Sequence, residues 1–206
     1  MLNYFDIILK PEPTMQADMG NTNRREALKT FAIVGALVGL IVGVGIALVG
    51  SILGAFIQGG TGSFVSGLGV LAVVFFPILF AILSVVLTII SVGIQYVISK
   101  LMGGKGTFDQ HLYLYSRLFW PLIFATIIIL AASMLPLIGI IISLVWNLYA
   151  IYLMVVLISV VHKVSKLKAL IIYLIPTIIV VAILGVLFAT LFAGILASMA
   201  AMPNIT

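Results

Sequence analysis

The chain has 206 residues, of which 64% are hydrophobic and 7% charged, and it contains no cysteine. Soluble domains hold roughly 45–50% apolar and 25% charged residues, so this composition excludes an ordinary soluble fold and predicts an integral membrane protein. Disulfides and thiol chemistry are excluded as well. The net charge of +5 would fit a nucleic-acid partner, but the positions of the charges favour the membrane surface instead, and we expect no nucleic-acid binding.

Residues 1–29 form a charged N-terminal segment with four of the ten Lys and Arg residues and four of the five acids. The first long apolar run begins only at Phe31, so we do not expect a signal peptide. Apolar residues at helical spacing predict a short amphipathic helix on the membrane surface, ended by Pro11 and Pro13. An unstructured tail is the alternative. The apolar residues in question are Leu2, Phe5, Ile8 and Leu9.

The first apolar run carries glycines at four-residue spacing, Gly35, Gly39 and Gly43, which place them on one face of a helix. Such a face lets a neighbouring backbone approach closely, so it predicts helix packing. The same face is a candidate surface for a homo-oligomer. A glycine-lined substrate path is a further alternative.

Five spans follow from the lengths of the apolar runs, because one crossing needs about 20 residues at 1.5 Å per residue. The run that begins at Phe64 is too long for one straight crossing and too short for two, so it predicts one tilted helix, kinked at Pro77. Pro136 divides another run into a hairpin. The segments are 1–29 (N-terminal), spans at about 30–57, 65–98, 118–135, 138–161 and 169–197, and a short tail at 198–206.

The longest charged interval between the spans is the central loop, residues 99–121. Thr107 and Gln110 have capping-box spacing, which predicts an interfacial helix that leads into the third span. Because polar chemistry is concentrated here, we expect the partner-binding residues in this loop, with its two adjacent glycines as a hinge. The candidates are Gly103, Gly104, Lys105, Asp109, Tyr115 and Arg117.

The basic residues predict the topology. When the segments between five spans are assigned to alternate sides of the membrane, all ten Lys and Arg residues fall on one side, in groups of four, three and three. None falls on the other side. Under the positive-inside rule this places the N-terminus in the cytoplasm and the C-terminus outside. The predicted fold is therefore an all-α, polytopic helical bundle of five transmembrane helices, with membrane lipids as partners of its basic face.

Several kinds of chemistry are missing from the sequence. No charged residue falls inside a predicted span, which disfavours a proton relay. The GGKGT stretch lacks the spacing of a phosphate-binding loop. His111 and His162 lie in different loops and are predicted to be surface residues rather than metal ligands. We therefore predict no catalytic residues, no cofactor and no metal, and a protein that is not an enzyme.

Four stretches occur in an order that resembles the Yip1-domain family of small five-span membrane proteins, and a prokaryotic, archaeal-type member is similar in size. The resemblance implies a membrane scaffold that engages small GTPases of the Rab type and trafficking factors. The stretches are Asp6-Ile7-Ile8-Leu9-Lys10-Pro11, the Gly103-Gly104 loop with Tyr115-Ser116-Arg117 and Pro121, Pro136-Leu137-Ile138-Gly139, and His162-Lys163 through Lys168-Ala169.

Two function classes stay open. The leading hypothesis is a non-enzymatic scaffold that binds partners or lipid through its cytoplasmic face, in the cell membrane if the chain is prokaryotic, which we favour, or in the endoplasmic reticulum or Golgi if it is eukaryotic. The rival is a small transporter or channel between the glycine-rich and proline-kinked helices. The rival predicts a polar path near Ser84, Thr88 and Asn147.

Overall fold

The computed structural model describes residues 6–57, 60–132 and 135–200, which form seven helices and, within those ranges, no strand. Outside the described residues lie Leu2 and Phe5 of the predicted surface helix, residues 58–59 after the first predicted span, and residues 201–206 of the predicted tail. The all-α prediction is confirmed. The helices are α1 (Asp6–Leu9), α2 (Pro11–Asp18), α3 (Arg24–Phe56), α4 (Gly60–Leu101), α5 (Phe108–Ala132), α6 (Pro136–His162) and α7 (Lys166–Ala200).

The five long helices are long and apolar enough to cross a membrane. Their outward faces carry large aliphatic side chains, for example Ile140, Val181 and Val186, which are 67%, 63% and 65% exposed. Exposed apolar surface of this extent is stable only in lipid, because water would have to cover it at a cost of about 25 cal/mol per Å². The chain is an integral multi-pass membrane protein, and the predicted sidedness of its termini stays a prediction.

The N-terminal segment is folded onto the bundle. Ile7 and Met15 are 2% and 0% exposed and belong to a core shared with α5, α6 and α7. α1 ends at Leu9, and Pro11 then begins α2, because the first turn of a helix needs no backbone donor from it. The first helix therefore ends before the prolines as predicted, whereas the alternative of an unstructured tail is wrong for the described residues.

The glycine stripe of α3 packs against α4 of the same chain. A Cβ added to Gly35, Gly39 or Gly43 would lie under 3.0 Å from a backbone carbonyl oxygen of α4. The oxygens belong to Phe80, Phe76 and Ala72 in that order, so the two helices run antiparallel in a fixed four-residue register. The packing prediction is confirmed. A second copy could use this face only by displacing α4.

The third predicted span and the predicted interfacial helix before it form one helix, α5, with Pro121 inside it. The Thr107 capping box is present: Gln110 N donates to Thr107 Oγ1 at 3.2 Å, and Thr107 N donates to Gln110 Oε1 at 3.0 Å. Both backbone donors at the start of α5 are thereby satisfied. The helix begins at the predicted place, but no separate surface helix precedes the membrane crossing.

The best-packed core lies at the end of the bundle where the N-terminal segment docks. Its centre is a continuous buried run on α6, Leu153 to Ile158, against Leu114 and Leu118 of α5 and Ile172 of α7. This end of the molecule also holds the central loop and the turn between α6 and α7. The fold thus joins three segments that are distant in sequence into one polar end, where the candidate site residues lie.

Candidate partner-binding site

Gly103 and Gly104 cap the end of α4. Gly103 has φ +87°, a left-handed conformation that favours glycine, and its N–H donates to Lys100 O at 3.1 Å. The Gly104 N–H donates to Ser99 O at 2.7 Å. This pair of bonds is a Schellman cap, which satisfies carbonyls that the end of a helix leaves free. The two glycines thus hold a fixed turn at the position predicted as a hinge.

The central loop is docked on the end of α6. Lys105 N donates to His162 O at 2.9 Å, while the Lys105 side chain is exposed. Gly104 and Gly106 pack so closely against His162 and Val161 that an added Cβ would be within 3.0 Å of each neighbour. The loop is therefore part of the folded end of the bundle, and Lys105 presents its charge from a fixed backbone.

The two histidines are buried and paired, which corrects the prediction that they are surface residues. Both are 0% exposed, and His111 Nδ1 lies 3.1 Å from His162 Nε2. One ring donates to the other, because a neutral imidazole has one donor and one acceptor nitrogen. The prediction failed because the fold brings the start of α5 and the end of α6 together beneath the loop.

The other ring nitrogens, His111 Nε2 and His162 Nδ1, are buried without a hydrogen-bond partner among the described residues. Within that part of the chain no third His, Cys, Asp or Glu completes a metal-ligand group with the pair. The amine of Lys100 lies over the ring of Tyr96, whose centroid is 6.0 Å from that of His162. A nearby ammonium disfavours a second cation, so the pair is best explained as a structural bond that fastens the loop.

Arg117 forms a buried ion pair with the N-terminal segment. Its Nε donates to Asp18 Oδ2 at 3.1 Å, and the two side chains are 14% and 4% exposed. A buried pair of this kind requires good geometry, because each charge loses its hydration. Two further contacts hold the segment: the Tyr149 hydroxyl donates to Ile8 O, and Lys166 Nζ donates to Glu12 Oε2 at 3.0 Å.

An open groove of about 650 Å³ lies beside this ion pair, between the connection of α2 to α3 and the first turns of α5. Its walls combine carboxylates, amides, a phenol and a guanidinium, so it offers both hydrogen-bond donors and acceptors. The volume falls in the range of ordinary ligand sites, about 300–1,000 Å³. Its principal side chains are Asp18, Asn21, Asn23, Glu26, Tyr113 and Arg117.

The remaining two predicted site residues lie elsewhere. Asp109, in the first turn of α5, has its Oδ1 3.9 Å from the Nε of Arg24 at the start of α3. Both side chains are at least half exposed. The Tyr115 ring packs between Phe31 and Phe119, with centroids 5.9 and 5.5 Å away. Tyr115 thus belongs to an aromatic cluster inside the bundle. Of the six predicted residues only Arg117 lines the groove.

Sequence reasoning missed Asp18, Asn23 and Tyr113 as groove residues. One signal was available: Asn23 and Glu26 have the spacing of a helix cap, and Glu26 N donates to Asn23 Oδ1 at 3.1 Å. That spacing marks the true start of α3 six residues before the predicted start of the first span. No local pattern marks Asp18 as the partner of Arg117, because the two are 99 residues apart.

The three residues expected to line a transport path lie in different settings. The Ser84 hydroxyl donates to Phe31 O at 2.7 Å and so fastens α4 to α3. Thr88 is buried, whereas Asn147 is exposed on the outside of α6 and donates to Ser143 O of its own helix at 2.7 Å. The Ser84 hydroxyl is therefore used in helix packing and the Asn147 amide within its own helix.

The fold and the polar end together define the class of protein: a helical, multi-pass membrane protein whose polar surface lies at one end of the bundle. The family model of the Yip1 domain matches residues 5–189. The chain therefore belongs to the Yip1-domain family, as the order of its motifs indicated. No curated protein and no solved structure matches the chain significantly.

Proposed function

We propose that this protein is a non-enzymatic membrane scaffold that binds a cytoplasmic protein partner at the groove between the N-terminal segment and α5. The observation that carries the proposal is the groove itself: about 650 Å³ of polar, solvent-open space at the end of a bundle whose other described surface is largely apolar. Membership of the Yip1-domain family supports a membrane role without enzymatic chemistry.

The chemistry of the groove favours a protein partner with a polar segment. Asp18 and Arg117 neutralise each other, because their charged groups are 3.1 Å apart. The ligand therefore meets a surface with almost no net charge rather than a strongly positive or negative one. Glu26 adds one exposed carboxylate, and Asn21 and Asn23 add amides that bind backbone N–H and C=O groups. A peptide segment with one basic side chain matches this lining best.

The absence of cysteine from the sequence allows a clean crosslinking test. A single cysteine introduced at Asn21, which is exposed in the groove, is coupled to a photoreactive benzophenone in native membranes. The matched control is a cysteine at Ser51, which is exposed on the apolar part of α3. We expect a discrete protein adduct from Asn21 that Ser51 does not give.

The adduct must also depend on the groove. Glu26→Lys reverses the exposed charge and is expected to remove most of the Asn21 adduct, while Gln16→Lys, at an exposed position of α2 that does not line the groove, is expected to leave it in place. Equal adducts from Asn21 and Ser51, or an adduct unaffected by Glu26→Lys, would count against the proposal. Purified small GTPases, which the family resemblance implies as partners, are tested as defined candidate partners in the same crosslinking assay.

A further inference from the structure

Three exposed lysines lie at the junction where α4, α6 and α7 end or begin. We call Lys105, Lys163 and Lys168 the lysine patch. Lys105 N is bonded to His162 O at 2.9 Å, which places it beside Lys163. Lys168 Nζ donates to Met102 O at 3.4 Å, so this side chain crosses from the start of α7 to the end of α4. Contacts of the folded end therefore bring the three positions together.

No carboxylate neutralises the lysine patch in the described part of the chain. The ion pairs there use Arg24, Arg117 and Lys166, so no carboxylate oxygen lies within 4.0 Å of a patch amine. Glu12, which lines one groove with Lys163, is bound by Lys166. All three side chains of the patch are exposed. The patch thus presents three unpaired positive charges on a backbone that is fixed by the loop contacts to α6.

Two exposed leucines lie beside the lysine patch along the chain. Leu101 is 83% exposed and Leu167 is 70% exposed, and both lie in the same junction as the lysines. Such side chains are stable in the acyl region, while neighbouring lysines extend their amines toward the headgroups. The junction therefore combines exposed apolar side chains with positive charges, the two features that a phospholipid presents as acyl chains and phosphate.

We infer that the lysine patch binds the phosphate headgroup of an anionic phospholipid, whose acyl chains contact Leu101 and Leu167. This deepens the proposed function by adding a lipid partner to its polar face, at a place separate from the groove. Ammonium groups bind phosphate as point charges, and the low dielectric constant at the membrane edge strengthens the attraction. The exposed leucines select a lipid over free phosphate, which has no apolar part.

Native mass spectrometry of the detergent-solubilised full chain tests the inference by comparing bound phosphatidylglycerol with bound phosphatidylcholine. We expect the wild type to retain phosphatidylglycerol preferentially. The triple variant Lys105→Gln, Lys163→Gln, Lys168→Gln is expected to bind it about 100-fold more weakly, since each of the three basic groups contributes about 1 kcal/mol near an anionic lipid. Phosphatidylcholine binding should not change.

A matched control removes the same charge elsewhere: Lys10→Gln, Arg25→Gln and Lys29→Gln, all exposed in the N-terminal segment or at the start of α3. This control, and a triple Lys→Arg variant of the patch, should retain phosphatidylglycerol. Equal losses in the patch variant and the control would overturn the inference, since they would indicate diffuse attraction only.

Two further arms separate a lipid from its headgroup. Inorganic phosphate or glycerophosphoglycerol, which lack acyl chains, should fail to displace phosphatidylglycerol at millimolar concentration, and full displacement would overturn the inference in favour of a free-phosphate site. The patch variant should keep the Asn21 crosslink. In the wild type, preferential phosphatidylglycerol binding without an Asn21 adduct would contradict the proposed function alone.

Discussion

At the scale of single residues, the Asp18–Arg117 ion pair is the contact that fixes the N-terminal segment beside the groove. Arg117→Met should destabilise the protein by about 3–5 kcal/mol, because it leaves the carboxylate of Asp18 buried and uncompensated. The 4% exposure of Asp18 is the reason for so large an effect. The measurement is the free energy of unfolding in mixed detergent micelles.

The matched control for this pair is Arg24→Met. Arg24 and Asp109 are 3.9 Å apart and more exposed, so their attraction is screened and its loss should cost less than about 1 kcal/mol. The double variant Asp18→Leu, Arg117→Met should recover much of the single variant's loss, since both charges leave together. Equal effects of Arg117→Met and Arg24→Met would contradict the argument.

The histidine pair is a second test at this scale. His111→Phe or His162→Phe alone leaves one buried ring nitrogen without the bond that it makes in the described chain, which should cost about 1–3 kcal/mol. The double variant replaces both rings by apolar rings and should cost less than the sum of the singles. A double-mutant cycle measures this coupling, and strictly additive losses would show that the 3.1 Å contact contributes nothing.

At the scale of the helices, the close approach of α3 and α4 depends on the glycine stripe. Gly39→Ala places a Cβ under 3.0 Å from the backbone of Phe76, so the helices must separate, at a cost of about 1–3 kcal/mol. Gly45→Ala is the control on the same helix, because its Cβ would meet nothing within 4 Å. That control should be neutral or stabilising by up to about 1 kcal/mol, since alanine favours the helix. Thermal unfolding of both variants decides, and similar midpoints would contradict the packing argument.

The sequence predicted the helices and the stripe because both are local. Apolar runs mark spans, and a four-residue glycine period marks a face, so α4 and the packing of Gly35, Gly39 and Gly43 followed from patterns a few residues long. The candidate site did not follow in the same way. The histidines are 51 residues apart, so only the assembled fold could pair them. The groove was missed because the N-terminal segment was expected to lie apart from the bundle.

At the scale of the whole molecule, the distribution of charge and the number of spans make one joint prediction about sidedness. All ten Lys and Arg residues fall on one side of a five-span chain, so the N-terminus should be cytoplasmic and the C-terminus outside. Single cysteines at Arg25, Lys163 and Asn204, in the otherwise cysteine-free chain, are labelled with a membrane-impermeant maleimide in intact cells and in inverted vesicles. Arg25 and Lys163, both exposed at the polar end of the bundle, should react only in inverted vesicles, whereas Asn204 should react in intact cells. Labelling of Arg25 and Asn204 from the same side would require an even number of crossings, and the groove and the lysine patch would then need a new assignment to a membrane face.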